Sequence, residues 1–174
     1  MAEDFPRRLV IVQRQMDQLR DLMNAVLPDN AFYSTKLEEA EAPRKFAHLG
    51  QFSEGMPFTT KAELMEDQKL NGPFGTNLTF PMSEYIRCHQ TSGTTGTPMR
   101  WLDTQQSWNW MVGNWETVLR TAGVTPEDRL FFGFSFGPFI AFWLAYEASL
   151  GMGCLSLSGG GLSSVARLRM IPQG

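Results

Sequence analysis

The stretch Gln90-Thr91-Ser92-Gly93-Thr94-Thr95-Gly96-Thr97-Pro98 places five hydroxyl side chains and two glycines within nine residues. That composition suits a polyphosphate. Glycine admits positive φ and lets the backbone approach an anion closely. Successive backbone N–H groups can then form a nest for negative charge. Hydroxyls add donors without bulk, and no fixed cation is required. Two other phosphate loops are excluded by their own spacing. The Walker pattern needs a Gly-Lys pair, which this segment lacks. The dinucleotide pattern G-x-G-x-x-G needs a glycine ahead of the Gly93 and Gly96 pair. A Ser/Gly hairpin turn with no ligand is the plain alternative. The length and hydroxyl content of Thr91–Thr97 favour phosphate.

Working outward, Tyr85–His89 suits a strand and Met99–Leu102 a second, so the loop crowns a hairpin-like unit. Thr104 can cap a long helix, Gln105–Ala122, which Gly123 ends. Arg129–Phe134 reads as a buried strand, Phe139–Leu150 as a helix and Cys154–Ser158 as a strand. Gly159–Gly161 turns the chain into a helix over Ser163–Met170, which stops at Pro172-Gln173-Gly174. Strands alternating with helices imply an α/β fold, with a parallel sheet flanked by helices.

Upstream, residues 1–82 read as a mainly helical lead-in, with the loop and sheet region at 83–174. Leu9, Val12, Met16, Leu19, Met23 and Val26 recur at three- and four-residue spacing, which gives an amphipathic helix over about 7–27. A short helix spans about Tyr33–Ala42. Pro43–Pro57 reads as mostly loop. The order Thr60-Lys61-Ala62-Glu63 is a capping box opening a helix over Lys61–Gln68. Phe74–Met82 is loop. The Trp108, Trp110 and Trp115 side chains are expected to pack their helix onto the sheet.

Composition narrows the function classes. The chain has 174 residues, 43% hydrophobic and 19% charged, with a net charge of −3. This is a globular composition with room for one real core. No basic cluster calls for nucleic acid. No segment reaches the ~20 apolar residues of a membrane span. The opening residues include Glu3, Asp4, Arg7 and Arg8 and lack an apolar signal core, and two cysteines make no disulfide framework. A cytoplasmic protein with reduced thiols is expected. No metal-ligand cluster is expected either: His48 is remote, and Cys88 would face away from His89 in a strand.

Ser92-Gly93-Thr94-Thr95-Gly96-Thr97-Pro98 is similar to the phosphate-loop signature of the adenylate-forming superfamily. Within it the chain resembles phenylacetate–coenzyme A ligases. "NAFYSTKLEEA" (Asn30–Ala40), "MPFTTKAEL" (Met56–Leu64), "RCHQTSGTTGTP" (Arg87–Pro98) and "LGMGCLSLSGG" (Leu150–Gly160) carry that closer likeness, which runs from about residue 13 to the end. The resemblance implies a two-step ligase. A carboxylate, here an aromatic acid, attacks ATP to give an acyl-adenylate, and coenzyme A then displaces AMP. Thr91, Ser92, Gly93, Thr94, Thr95, Gly96 and Thr97 would hold the ATP phosphates. Mg²⁺ would offset their charge, with its ligands and the catalytic residues beyond residue 174. The chain is thus expected to be an incomplete N-terminal part of such a ligase, inactive alone.

Most of the superfamily places lysine where this chain has Met99, a departure shared with phenylacetate-type ligases. Arg100 is no substitute, since adjacent strand residues face opposite ways. By resemblance, Phe134 and Phe139 would line the acyl pocket, with plain core packing as the alternative. His89 fits a hydrogen-bonded structural histidine or a contact to substrate or phosphate. Gly159 and Gly160 fit a simple turn or a backbone approach to ligand. Other acceptors stay open, a carrier-protein thiol or an amine, as do a truncated nucleotide-binding paralogue and a homodimer.

Overall fold

The computed structural model describes residues 7–93 and 96–171; Thr94 and Thr95 of the glycine-rich loop, and the stop expected at Pro172-Gln173-Gly174, lie outside the described residues. Two compact units are present, one up to Met82 and one from Ser83.

The first unit is helical: α1 (Arg8–Val26), α2 (Ala31–Glu39), α3 (Leu49–Gly55) and α4 (Lys61–Leu70). Met16, Leu19 and Met23 bury one stripe of α1 against Leu37 and Phe46, with Leu27, Leu49 and Phe52 packed beside them. The stripe is shorter than its periodicity suggests, because Leu9 in the first turn is 82% exposed. The helix α3 corrects the expected loop over Pro43–Pro57. Its signal is weak, a seven-residue segment with a glycine at each end region, but His48 caps it by accepting from the Gln51 N–H at 3.1 Å. The second helix starts earlier than the expected Tyr33. Buried Asn30 caps it by accepting from the Tyr33 N–H, while its amide donates to Asn77 and Thr79.

The capping box at α4 is formed in full. Thr60 Oγ1 accepts from the Glu63 N–H at 3.3 Å, and Glu63 Oε2 accepts from the Thr60 N–H at 2.6 Å. Lys36 of α2 also pairs with Glu63. That ammonium first, and the Thr60 donors next, lower the Glu63 pKa from 4.5 to about 2.

The second unit opens with a hairpin. Strands β1 (Tyr85–Gln90) and β2 (Arg100–Thr104) pair antiparallel, with Arg87 opposite Asp103 and His89 opposite Trp101. Thr104 then caps α5 (Gln105–Thr121), accepting from the Ser107 N–H at 3.1 Å. Strand β3 (Arg129–Phe132), helix α6 (Ile140–Gly151), strand β4 (Leu155–Ser158) and helix α7 (Ser164–Met170) complete the alternation. The α/β class holds: β3 and β4 are parallel, in a sheet of two strands among the described residues, and the hairpin is a separate sheet. Three details differ from the sequence reading. The third strand ends at Phe132 rather than Phe134, because Gly133 leads into a turn. It is not buried throughout, since Arg129 is exposed. Of the helix tryptophans, Trp108 is 1% exposed but Trp110 is 67% exposed, because residues two apart in a helix lie on different faces.

Replacing Thr60 with alanine should destabilise the chain by about 1 kcal/mol, the usual cost of losing a cap. Urea unfolding of the variant and wild type checks this.

Candidate functional site

The glycine-rich loop departs from β1 and returns to β2 through a closed neck. The Thr91 N–H donates to the Met99 carbonyl at 3.0 Å, and the Met99 N–H donates to Thr91 Oγ1 at 3.1 Å. The Thr91 hydroxyl, used here as an acceptor, keeps its own proton to donate. Within the loop the Gly96 N–H donates to the Gly93 carbonyl at 3.0 Å. Both glycines have positive φ, +67° at Gly93 and +136° at Gly96. A Cβ on Gly93 would stand 2.9 Å from the Gly96 carbonyl oxygen, so glycine is required there. Ser92, Gly96 and Thr97 are exposed, and Thr91, Gly93 and Met99 are half-buried. Arg100 is exposed and Met99 is half-buried; the second strand begins at Arg100 rather than the expected Met99, and runs to Thr104.

One backbone hydrogen bond joins this neck to the aromatic turn after β3: the Gln90 N–H donates to the Pro138 carbonyl at 3.0 Å. The Phe134 and Phe142 rings lie 4.2 Å apart and tilted by 31°, and Phe136 lies between Trp143 at 4.9 Å and Tyr146 at 5.2 Å. The Trp143 indole N–H donates to the Gly137 carbonyl at 2.9 Å and pins the turn. Phe134 is half-buried within this cluster, while Phe139 is 37% exposed at its edge.

The three-glycine turn closes on the same segment. The Gly159 N–H donates to the Phe132 carbonyl at 2.9 Å, and the Gly161 N–H donates to Ser135 Oγ at 3.1 Å. A Cβ on Gly159 would meet the Phe131 ring at 2.4 Å, and one on Gly160 would meet the Phe134 carbonyl oxygen at 2.8 Å. Close packing on the aromatic turn therefore accounts for both glycines.

His89 sits beneath the loop. It is 6% exposed and stacks on the Trp108 indole at 5.1 Å, with the planes 9° apart. Its Nδ1 lies 3.7 Å from Asp103 Oδ2, and Asp103 Oδ1 accepts from Ser107 Oγ at 3.2 Å. The Arg87 guanidinium lies 4.2 Å over the same indole and pairs with Glu147 at 2.9 Å. Glu147 also accepts from the Trp108 indole N–H at 2.6 Å. Burial pushes the His89 pKa below 6.5 and that of Asp103 above 3.8. Sequence reading missed Asp103, Arg87 and Glu147, since they meet only after the chain folds. The alternation of β1 was the one usable signal: it puts Arg87 and His89 on one face.

Among the described residues no group of three His, Cys, Asp or Glu could hold a metal ion. No described helix is long and apolar enough to cross a membrane.

Two outcomes are expected. Gly160→Ala should cost about 1–3 kcal/mol through overpacking against the Phe134 carbonyl, read by urea unfolding. Because His89 titrates lower in the folded state, its contribution is fully present above pH 6.5 and is lost as pH falls below that value. Asp103, with its raised pKa, acts in the opposite sense in a window opening at 3.8. The Arg87 charge facing His89 disfavours protonation, and Asp103 and Glu147 favour it. His89→Gln should flatten the stability loss below pH 6.5, measured by denaturation across pH 5 to 8.

No protein-family model matches the chain. It is 29% identical over 161 residues to the phenylacetate–coenzyme A ligase of Escherichia coli (strain K12), covering 88% of this chain and 35% of that protein. It is 28% identical over 151 residues to the phenylacetate–coenzyme A ligase of Pseudomonas putida, covering 85% and 33%. Among solved structures it superposes on 2-hydroxyisobutyryl-CoA ligase in complex with 2-HIB-AMP and CoA, with a TM-score of 0.85, 24% identity and coverage of 93% of this chain and 35% of that one. The same ligase in the postadenylation state with 2-HIB-AMP gives a TM-score of 0.82 at 22% identity, covering 92% and 34%. The chain spans about a third of the length of these relatives. It resembles phenylacetate–coenzyme A ligases in sequence and has the fold of the matching third of an adenylate-forming ligase.

Proposed function

We propose that the full-length protein is an AMP-forming acyl- or aryl-coenzyme A ligase. A carboxylate oxygen of the acid attacks the α-phosphorus of ATP. The bond to pyrophosphate breaks, and an acyl-adenylate forms. The thiol of coenzyme A then attacks the acyl carbon, AMP leaves, and a thioester results. The observation that carries this reading is the Gln90–Pro138 hydrogen bond, which sets a phosphate-type loop beside an aromatic turn. Supporting it are the sequence likeness to phenylacetate–coenzyme A ligases and the fold shared with a ligase solved with its acyl-AMP.

The roles divide by chemistry. Backbone N–H groups and the hydroxyls of Thr91, Ser92, Thr94, Thr95 and Thr97 would hold the β- and γ-phosphates, stabilising charge as it moves onto pyrophosphate. Gly93 and Gly96 would let that backbone approach. Phe134 and Phe139 would line the acid pocket, and its aromatic walls suit an aromatic or similarly apolar acid. With Met99 where a lysine commonly stands, the loop brings no cation of its own at that position. Magnesium would supply charge neutralisation, held by residues outside those described. The 174-residue chain alone would bind phosphates and one wall of the acid without completing the reaction. We place the protein in the cytoplasm, where its two cysteines, free in the structure, stay reduced.

ATP–pyrophosphate exchange by the full-length protein, run over a panel of aromatic and aliphatic acids, tests this. Exchange should appear with at least one aromatic acid, and a Thr94→Ala/Thr95→Ala variant should lose about 100-fold or more. No exchange across the panel would sink the ligase reading. Full activity in the variant would remove the loop from it.

A further inference from the structure

The buried cluster under the loop has more polar groups than bonds. Asp103 is 3% exposed and His89 is 6% exposed, yet neither Asp103 Oδ2 nor His89 Nδ1 has a hydrogen-bond partner. The two atoms face each other at 3.7 Å, just beyond bonding distance. Leaving both unsatisfied and buried carries a cost that closing them would recover. Their surroundings are fixed: Ser107 holds the other Asp103 oxygen, and the imidazole lies flat on Trp108. The imidazole that faces this gap is carried by the end of β1. His89 is two residues from Thr91, where the neck of the loop begins.

We propose that Asp103 is a positioning residue for the phosphate loop, acting through His89: it fixes the imidazole against Trp108 and so sets the end of β1 from which the loop departs. A ligand that holds the loop in place favours closure of the pair, and the closed pair in turn favours the ligand-holding loop. The effect is confined to ligands carrying β- and γ-phosphates. This rests on the phosphate-binding role proposed for the loop.

The test uses the full-length protein and equilibrium binding of ATP and of AMP. Asp103→Leu removes the hydrogen-bonding atoms at similar volume and, because only one partner of the buried pair is removed, costs some stability. His89→Phe keeps the stacking on Trp108 and removes Nδ1. Each should weaken ATP about tenfold and leave AMP unchanged. The double variant should lose no more than either single one, because both break one interaction. Asp103→Asn, which can still bond the imidazole, should retain most of the ATP affinity. If Asp103→Leu does not fold, His89→Phe with Asp103→Asn carries the same comparison. Parallel losses for ATP and AMP, unchanged ATP affinity, or losses that multiply in the double variant would overturn the proposal alone. A wild type that binds no ATP would overturn it together with the proposed function.

Discussion

Trp108 is 1% exposed, and a polar set is built around it: Arg87 over its face, His89 stacked on it, Glu147 on its N–H. A buried indole needs a partner for that N–H, and Glu147 of α6 provides one. The same carboxylate pairs with Arg87 of β1. Three elements, β1, α5 and α6, are thereby tied to one side chain. The hairpin that carries the loop is seated in part through it. These contacts gather on a buried indole, although the Arg87 and Glu147 side chains are themselves 31% and 27% exposed. They are less forgiving than surface pairs, since removing one partner strands the others.

The hairpin and its loop show how local rigidity can be made from small residues. Thr91 uses both its N–H and its hydroxyl oxygen on Met99, closing the neck with two bonds. The turn between can then be glycine-rich without loosening the strands. Gly93 has a backbone oxygen and a proline ring where a Cβ would go, so its conformation is also its packing. The same economy holds at Gly159 and Gly160, which let the chain lie directly on Phe131 and on the backbone of Phe134.

Much of this was legible in the sequence, for physical reasons that can be named. Capping is local chemistry, so Thr60 with Glu63 and Thr104 before its helix could be read directly. The alternation of helix and strand after residue 100 was legible because each element has its own hydrophobic period. The helix α3 was not, since its cap is a histidine and its residues carry little helical preference. Asn30 caps α2 ahead of the expected start at Tyr33, and its amide is held by Asn77 and Thr79 far along the chain. The cluster around Trp108 was beyond reach for the same reason: Arg87 and Glu147 are 60 residues apart, and nothing in either segment announces the other. In the site, residue types pointed to the glycine-rich loop and the aromatic turn, but not to the bond that joins them.

That bond, from Gln90 to Pro138, makes the two halves of the site share a wall. A change that reshapes the aromatic turn also pulls on the strand that ends in the glycine-rich loop. If the two elements carry the roles proposed for them, acid selectivity and nucleotide handling are not separate traits. A lineage adapting to a new acid would have to compensate on the nucleotide side, and an engineer enlarging the turn would need to screen both together.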